Sequence, residues 1–283
     1  MGRILNIACL QTRPRADFES ALAEALALAE EAVGAGGQLL TLPEYCGGLE
    51  TDGFKLKPPA KPEDKHPVLG GLRQFSKERK VWMVIGSLAI TGPGGKTFNR
   101  GFVIDDAGNI RNRYDKIHLF DVRLSETEVY RESELVSSGD EAVLAETPLA
   151  ILGYSICYDL RFPGLYRDLA RGGAEILLVP AAFTKKTGEA HWHILNRARA
   201  IENGAFVVAP CSVGPVSGGG ECYGHSLIIN PWGEIIVDGG GTNSGVVQAV
   251  VDLEEVIIAR TKIPSLSRDK KFFLKDKIKV EVA

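Results

Sequence analysis

Three residues in this sequence carry side chains that could act together on a carbonyl compound. Cys157 stands in Ser-Ile-Cys-Tyr-Asp, Glu44 in Leu-Pro-Glu-Tyr and Lys116 in Tyr-Asp-Lys-Ile-His. Each closely follows a segment predicted to be a strand, so a thiol, a carboxylate and an amine could meet at one edge of a sheet. Such a set is typical of covalent catalysis, in which the thiol attacks a carbonyl carbon.

The predicted chemistry gives each of the three groups a role. A free thiol titrates near pH ~8.5, so the Lys116 ammonium and the helix start predicted after Cys157 would have to favour the thiolate. Glu44 could accept the thiol proton, deliver it to a leaving amine and later activate water. Lys116 and the backbone N–H that follows Cys157 could stabilise an oxyanion. Spacing alone leaves open an ordinary buried cysteine beside an ordinary ion pair.

The pattern of apolar residues predicts an α/β protein in which strands and helices alternate with little linker. Strands are predicted at 4–11, 39–42, 81–88, 98–104, 110–114, 150–156, 176–179, 206–209, 227–229, 235–237 and 246–251. Helices are predicted at 18–33, 67–80, 164–171, 188–203 and 253–260. The segment 120–139 has no clear periodicity and is predicted to be a long functional loop. No repeat or linker interrupts the sequence, so a single domain over 1–283 is expected.

Composition and charge exclude several classes of protein. The 283 residues are 45% apolar and 24% charged, as is usual for a soluble globular protein, and the net charge of -3 indicates no nucleic-acid surface. The sequence has neither an apolar run that could span a membrane nor the apolar stretch of a signal peptide. Five widely spaced cysteines without a Cys-x-x-Cys motif favour a reducing compartment, so we expect a cytoplasmic protein.

The segments Leu-Pro-Glu-Tyr, Tyr-Asp-Lys-Ile-His-Leu-Phe-Asp and Ser-Ile-Cys-Tyr-Asp-Leu-Arg-Phe-Pro occur in this order, and the chain resembles the nitrilase superfamily of carbon–nitrogen hydrolases over 4–266. The resemblance implies that Glu44 is the general base, Lys116 the oxyanion stabiliser and Cys157 the nucleophile. It also implies a second active-site glutamate, placed at Glu132 by Tyr-Arg-Glu-Ser. Weaker candidates for that second position are Glu126, Glu128 and Glu134. A four-layer α-β-β-α sandwich, no cofactor, and a homodimer or higher homo-oligomer are implied as well.

Further segments resemble the Nit branch of this superfamily. They are Pro-Ala-Ala-Phe-Thr (180–184), Thr-Gly-Glu-Ala-His-Trp (187–192), Arg-Ala-Arg-Ala-Ile-Glu (197–202), Tyr-Gly-His-Ser (223–226) and Asn-Pro-Trp-Gly-Glu (230–234). Leu-Arg-Phe-Pro and the 197–202 segment are more similar to deaminated-glutathione amidases than to ω-amidases. The resemblance implies hydrolysis of deaminated glutathione to 2-oxoglutarate and cysteinylglycine through a cysteine thioester.

Several alternative functions stay open at this point. The amide could instead be 2-oxoglutaramate, as for an ω-amidase, and an N-carbamoyl compound or a nitrile would suit the same chemistry. In a different class, the chain could be a non-catalytic binding module. The glycines at 218–220 stand where relatives often carry a basic residue, which leaves open a preferred substrate different from theirs.

The predicted substrate contacts are Tyr158, Phe183 and Thr184. Phe183 and Thr184 closely follow a predicted strand, although a core aromatic and a turn hydroxyl are equally compatible with the sequence. Arg161 either binds substrate or ties the helix start to a carboxylate such as Asp159.

The histidines are not expected to bind a metal ion. His191 and His193 are two residues apart on a predicted helix and would not share a face, and the remaining histidines lie in unrelated segments. A protease-like pairing of the thiol with His118 or His225 is disfavoured because it leaves the carboxylate and the amine without a role.

Overall fold

Two β-sheets lie between two outer layers of helices in the computed structural model of the protein, which describes residues 2–275. The described strands are β1 (Ile4–Gln11), β2 (Leu39–Thr41), β3 (Thr51–Asp52), β4 (Lys55–Leu56), β5 (Trp82–Thr91), β6 (Thr97–Ile104), β7 (Ile110–Asp115), β8 (Asp121–Arg123), β9 (Val129–Arg131), β10 (Val136–Ser137), β11 (Leu144–Glu146), β12 (Ile151–Tyr154), β13 (Ile176–Leu178), β14 (Phe206–Ala209), β15 (Val213–Pro215), β16 (Glu221–Tyr223), β17 (Leu227–Ile229), β18 (Ile235–Asp238) and β19 (Gly245–Asp252). The described α-helices are α1 (Phe18–Gly34), α2 (Pro67–Arg79), α3 (Pro163–Arg171), α4 (Lys185–Asn203) and α5 (Glu254–Lys262).

Each sheet has a parallel centre flanked by antiparallel pairs, and β10 adds a short parallel pair with β6 at one edge of the first sheet. The first sheet has the order β10-β6-β5-β2-β1-β19 with β7 also paired to β6, and its strands β1, β2 and β5 are parallel. The second sheet has the order β11-β12-β13-β14-β17-β18, and its strands β12, β13 and β14 are parallel. Buried parallel centres of this kind need cover on both faces, which the other sheet and the helices provide.

The alternation of side chains along β1 shows how the four layers arise. Leu5 and Ile7 point into the core between the two sheets, where they belong to the same buried cluster as Leu178 of β13. Ala8 and Leu10 point the other way, into a second buried cluster with residues of α1 and α2. Because a strand has a side-chain period of two, one apolar strand contributes to both cores. The predicted α-β-β-α sandwich is confirmed.

Helix α1 lies close to the first sheet because its inward face consists of small residues. Asp17 caps the helix by accepting a hydrogen bond from the N–H of Ser20 at 2.8 Å. The buried positions that follow are alanines: Ala21, Ala25, Ala29 and Ala32. Alanine also favours the helical state intrinsically, so local propensity and packing agree here.

The segment 120–139, predicted to be a long loop, contains regular structure. It contains the hairpin β8–β9, a 3₁₀ turn at Glu132–Glu134 and the short strand β10. The hairpin closes because the N–H of Leu124 donates to the carbonyl of Glu128 at 2.9 Å and the N–H of Glu128 donates to Ser125 Oγ, also at 2.9 Å. A serine-based turn of this type leaves little hydrophobic periodicity to detect in the sequence.

Two other expectations concern the chain as a whole. The prediction of a single domain over 1–283 extends beyond the described residues and stays a prediction. No α-helix within residues 2–275 is both long enough and apolar enough to cross a membrane.

A bulge in β5 requires a glycine where the two sheets meet. The register with β6 shifts between Ile85 and Leu88. A Cβ atom on Gly86 would lie 2.0 Å from the carbonyl oxygen of Leu42 and 2.5 Å from Cβ of Pro180. These contacts involve backbone and a rigid ring, so no rotamer change can relieve them.

We therefore expect Gly86→Ala to lower the free energy of unfolding by more than about 3 kcal/mol, the upper end for overpacking. Gly70→Ala is the matched control, because Gly70 is an exposed residue within α2 with no atom within 4 Å of a built Cβ. That change should stabilise the protein by up to about 1 kcal/mol. Urea unfolding of both variants measures the difference, and equal stabilities would contradict the packing described at Gly86.

Candidate active site

Strand ends from both sheets bring Glu44, Lys116 and Cys157 into one pocket. Glu44 follows β2, Lys116 directly follows β7 and Cys157 follows β12. All three are buried, with relative exposures of 4%, 2% and 9%. The pocket thus lies where the edges of the two sheets come together, as expected for ligand sites at the carboxyl ends of parallel strands.

The bulge of β5 holds the loop that carries Glu44. Ser87 accepts a hydrogen bond from the N–H of Tyr45 at its Oγ (2.9 Å) and from the N–H of Cys46 at its carbonyl (3.1 Å). The N–H of Ser87 donates to the carbonyl of Pro43 at 3.2 Å. Tyr45 has a φ of 51°, a left-handed conformation that these bonds maintain. Glu44 is therefore fixed by backbone bonds on both sides.

Cys157 also has a left-handed backbone, with a φ of 48°. Its N–H donates to the carbonyl of Pro180 at 2.9 Å. The buried Asp159 carboxylate accepts from the N–H of Ile156 at 2.8 Å and from the Tyr114 hydroxyl at 2.7 Å, which braces the turn from both ends. Such a conformation costs about 1–3 kcal/mol for a non-glycine residue and persists only where the surroundings enforce it.

A buried cation lies between two carboxylates at the centre of the pocket. Lys116 Nζ donates to Glu44 Oε1 at 2.8 Å and to Glu132 Oε2 at 2.9 Å. Asn99 Nδ2 donates to Glu44 Oε1 at 2.9 Å and to Glu132 Oε1 at 3.1 Å. The Tyr45 hydroxyl donates to Glu132 Oε1 at 3.2 Å. The carboxylates are thus held by several donors at once, which buried charges require.

The charges in this network keep both Glu44 and Lys116 ionised. Burial alone would raise the pKa of Glu44, but the charge and hydrogen bond of Lys116, with the N–H of Ala182, hold that pKa below its usual value. Burial likewise acts to lower the pKa of Lys116, yet the charges of Glu132 and Glu44 raise it well above the usual value. Opposite charges within hydrogen-bond distance outweigh desolvation in both cases.

The thiol of Cys157 is the neutral member of the group. Burial raises its pKa well above the usual value, and the charge of Glu44 raises it further, against the opposing effect of Lys116. The ammonium of Lys116 does lower the pKa of the thiol, as predicted, but burial and the charge of Glu44 outweigh it, so the expected thiolate is not favoured in the free pocket. Two structural reasons are that the ammonium is already paired with two carboxylates, and that Cys157–Arg161 form a 3₁₀ turn before α3.

The predicted substrate contacts lie on the wall of this pocket, whose inner cavity measures about 70 Å³. Tyr158, Phe183 and Thr184 line it together with Phe120 and Thr187. A wider cavity of about 480 Å³ adjoins it. Five residues line both spaces: Leu49, Leu56, Tyr130, Ala182 and Thr184. An apolar inner chamber with few polar groups is typical of a small-molecule site.

Sequence reasoning missed two residues that hold the charged network. Asn99 is fully buried in β6 and donates to both glutamates. The amide stands on the same side of the strand as the buried Thr97 and Gly101, and a buried amide needs partners. Tyr45 stands next to Glu44 in the quoted motif, but its contact with Glu132 depends on the left-handed turn, which the sequence does not indicate.

Arg161 lies against the pocket wall and does not pair with Asp159. Its guanidinium carbon is 5.9 Å from the centre of the Tyr158 ring and 5.6 Å from that of Phe183. The guanidinium also lies 3.3 Å from His191 Nδ1, and His191 is exposed. The suggestion of an Arg161–Asp159 pair is therefore wrong, because the Asp159 carboxylate is already occupied by other donors.

Neither of the two histidines considered as partners of the thiol lies on the pocket wall. His118 Nδ1 is 2.7 Å from Asp159 Oδ1, and the His118 ring stacks on Phe162. His225 Nδ1 is 2.9 Å from Asp238 Oδ1. These contacts argue against a Cys–His arrangement.

The expectation that the histidines are unrelated is wrong for two of them. Asp238 accepts contacts from both His225 and His193, whose Nε2 lies 3.0 Å from Asp238 Oδ2. The two residues are 32 positions apart in sequence, and only the packing of α4 against β18 brings them together.

The chain thus combines an α-β-β-α sandwich with a cysteine, a lysine and two glutamates in one buried pocket. The family model described as carbon-nitrogen hydrolase matches residues 6–261. The chain therefore belongs to the carbon–nitrogen hydrolase family.

Known relatives and solved structures narrow the class. The chain is 37% identical to a deaminated glutathione amidase of Synechocystis sp. over 266 residues, which cover 92% of this chain and 96% of the relative. It is 35% identical to omega-amidase NIT2 of Danio rerio over 86% of each chain. Among solved structures, Nit3 of Saccharomyces cerevisiae, a member of branch 10 of the nitrilase superfamily, matches with a TM-score of 0.80 and 26% identity over 92% of this chain and 94% of that one.

The charge network leads to a prediction about stability. We expect Lys116→Met to lower the free energy of unfolding by about 3–5 kcal/mol, because it leaves two buried carboxylates without their cation. The double variant Lys116→Met/Glu132→Gln removes one cation and one anion, so it should recover most of this loss. Equal instability of the single and double variants in denaturant unfolding would contradict the account.

The same variant has a predicted pH dependence. In the wild type, folding lowers the pKa of Glu44. The ionised Glu44 therefore adds to the free energy of unfolding at pH values above its pKa in the unfolded chain, about 4.3, and this contribution is lost as the pH falls through its pKa in the folded protein. Without Lys116, burial raises the pKa of Glu44 instead. The difference in the free energy of unfolding between the wild type and Lys116→Met should therefore become smaller as the pH is lowered from 8 to about 5. Unfolding curves at several pH values measure this difference.

Proposed function

We propose that this protein is a thiol-dependent amidase that hydrolyses deaminated glutathione to 2-oxoglutarate and cysteinylglycine. The observation that carries the proposal is the buried group of Cys157, Glu44, Lys116 and Glu132 in one pocket. The similarity to relatives named deaminated glutathione amidase supports the choice of substrate.

In the first step, the neutral thiol of Cys157 gives its proton to the ionised Glu44 as sulfur attacks the amide carbon. The carbonyl oxygen becomes an oxyanion, which Lys116 Nζ and the N–H of Tyr158 stabilise. That N–H donates to no acceptor within residues 2–275, so it is free for the oxyanion. Preorganised donors at a developing negative charge are usually the largest contribution to catalysis of this kind.

In the second step, the tetrahedral intermediate collapses, the carbon–nitrogen bond breaks and Glu44 returns the proton to the leaving amine. The product is a thioester on Cys157. Water then attacks this thioester while Glu44 takes its proton, and the thiol is restored by that proton as the acid leaves. Glu132 acts as a positioning residue, because it holds Lys116 from the side opposite Glu44.

The shape of the site favours a substrate larger than 2-oxoglutaramate. The inner cavity of about 70 Å³ suits the 2-oxo acid part of the substrate. Arg161 lies close to the cavity wall, where it could contact the carboxylate of that part. The adjoining cavity of about 480 Å³ has room for a dipeptide leaving group. An ω-amidase releases only ammonia and needs no such space.

The glycines at 218–220 belong to this outer cavity. A Cβ on Gly218 would lie 1.7 Å from the carbonyl oxygen of Thr51, and its φ is 86°, so the position requires glycine. Gly219 and Gly220 line the cavity. The same rim carries Lys185 and Lys186, which pair with Glu221 and Glu128, and Glu189 lines it as well. The two lysines are the basic groups of this rim that could meet a carboxylate of the leaving group.

We also propose that the protein forms a homodimer or higher homo-oligomer and is cytoplasmic. Large apolar side chains on the outer face of α4 support association, with Ile194 68% and Ile201 51% exposed. The five cysteines are all free thiols, which suits a reducing compartment. Light scattering of the purified protein measures the mass of the assembly.

The first test of function is release of 2-oxoglutarate from deaminated glutathione and from 2-oxoglutaramate. We expect faster turnover of deaminated glutathione, since only its leaving group uses the outer cavity. Cys157→Ala should abolish release from both, and Lys116→Arg should lower kcat by about 100-fold or more because a planar guanidinium cannot replace a compact donor at the oxyanion.

Other outcomes of this assay distinguish the alternatives. Preference for 2-oxoglutaramate would favour an ω-amidase. The protein could act on neither compound but hydrolyse N-carbamoyl compounds or nitriles in a reaction that depends on Cys157. That outcome would support the proposed thiol chemistry and contradict the proposed substrate. No Cys157-dependent turnover of any of these compounds would favour a binding module.

The rim lysines provide a second prediction. We expect the double change Lys185→Met/Lys186→Met to raise KM for deaminated glutathione by up to about fivefold, the effect of losing an exposed charge contact worth about 1 kcal/mol. KM for 2-oxoglutaramate should stay the same. Lys77→Met on α2, away from the pocket, is the matched control. Equal effects on both substrates would contradict a carboxylate contact at the rim.

A further inference from the structure

A second group of potential ligands lies outside the catalytic pocket, where α4 packs on the second sheet. It consists of His193 on α4, His225 just before β17 and Asp238 at the end of β18. Each offers one ligand atom, and these atoms all lie within 4.8 Å of one another. The two histidines are half-buried and Asp238 is an exposed residue.

The distances in this group are close to those of a coordinated ion. His193 Nε2 lies 3.0 Å from Asp238 Oδ2, and His225 Nδ1 lies 2.9 Å from Asp238 Oδ1. Ligand atoms of a tetrahedral zinc ion with bonds of about 2.0–2.1 Å are about 3.3 Å apart. To admit the ion, the nitrogen–oxygen contacts would open by a few tenths of an ångström, and the two imidazole nitrogens, which lie within 4.8 Å of each other, would settle near the same separation.

Neighbouring aromatic groups hold the two imidazoles in place. The Tyr223 ring stacks on His225 with centroids 4.4 Å apart and meets the His193 ring edge-on at 5.9 Å. His225 has a left-handed backbone with a φ of 54°, and its N–H donates to the carbonyl of Gly240 at 2.8 Å. A non-glycine residue held in this conformation is a feature of constrained functional sites.

The donor set selects the class of ion. Two imidazole nitrogens and one carboxylate oxygen suit zinc and similar divalent transition ions, whereas magnesium and calcium prefer oxygen ligands alone. Within residues 2–275 no hydrogen bond engages the second ring nitrogen of either His193 or His225. Each neutral ring can therefore carry its proton on that nitrogen and present the other to a metal ion.

We propose that His193, His225 and Asp238 form a site for a zinc-type divalent ion, with water at the fourth position. The ion would connect α4 to the end of β18. The carbonyl of His225 accepts from Trp192 Nε1 at 2.8 Å, and the Trp192 ring lies 4.9 Å from that of Phe183 on the pocket wall. The ion therefore acts as a clamp behind the substrate pocket, and it takes no part in the chemistry at Cys157.

The test is zinc binding by tag-free, chelator-washed protein in competition with a chromophoric chelator. Wild type and Cys157→Ala should both bind one high-affinity zinc ion per chain, which excludes the catalytic thiol as the ligand. His193→Gln and Asp238→Asn, each in the Cys157→Ala background, should weaken binding by about 100-fold or more, at least the loss seen when an outer-shell partner is removed. His191→Gln, two residues away on the same helix and exposed, is the matched control and should bind normally.

Cobalt substitution gives a readout of the ligands themselves. Co²⁺ bound at the site should show the visible bands of a tetrahedral nitrogen and oxygen site, without a sulfur-to-metal charge-transfer band. Loss of these bands in His225→Gln and their retention in His191→Gln would support the site. Zinc affinity unchanged in His193→Gln and Asp238→Asn, or lost in Cys157→Ala, would overturn it.

Discussion

The buried ammonium of Lys116 between Glu44 and Glu132 is the interaction on which the rest of the pocket depends. It keeps Glu44 ionised against the effect of burial, which would otherwise protonate the base. It also links three chain segments through side-chain bonds: the loop after β2, the end of β7 and the turn after β9. Because a buried ion pair contributes little net stability, its presence is better explained by function than by folding.

The pocket holds Cys157 as a neutral thiol beside the ionised Glu44. With the pKa of Cys157 raised and that of Glu44 lowered, the proton stays on sulfur until an electrophile arrives. A neutral thiol is less open to oxidation than a thiolate, since reactivity follows thiolate character. In the proposed mechanism, the charge needed for attack develops only when a carbonyl oxygen reaches Lys116 and can take up the negative charge. Proton transfer to Glu44 and oxyanion formation would then be coupled steps.

Much of this arrangement is predictable from sequence, and the exceptions share a physical origin. The layers follow from periodicity, and Glu44, Lys116 and Cys157 follow from motifs at strand ends. The raised pKa of the Cys157 thiol does not follow from the sequence, because it depends on which carboxylates the Lys116 ammonium already contacts. Contacts between distant segments, such as Asn99 with Glu132 or His193 with Asp238, also escape detection, since no local pattern encodes them. Sequence thus indicates the groups, whereas packing decides their protonation and partners.

The strain in the pocket has a geometric reason in the use of two sheets. Glu44 and Lys116 come from the first sheet and Cys157 from the second, so each must turn towards a shared space. Left-handed backbones at Tyr45 and Cys157 make these turns within one residue, and backbone bonds to Ser87 and Pro180 hold them. A longer loop would reach the same place with less strain but more freedom. The proposed catalysis depends on sub-ångström placement of the Cys157 thiol and the Glu44 carboxylate. The rigid backbone at Tyr45 and Cys157 provides this placement at the cost of conformational strain.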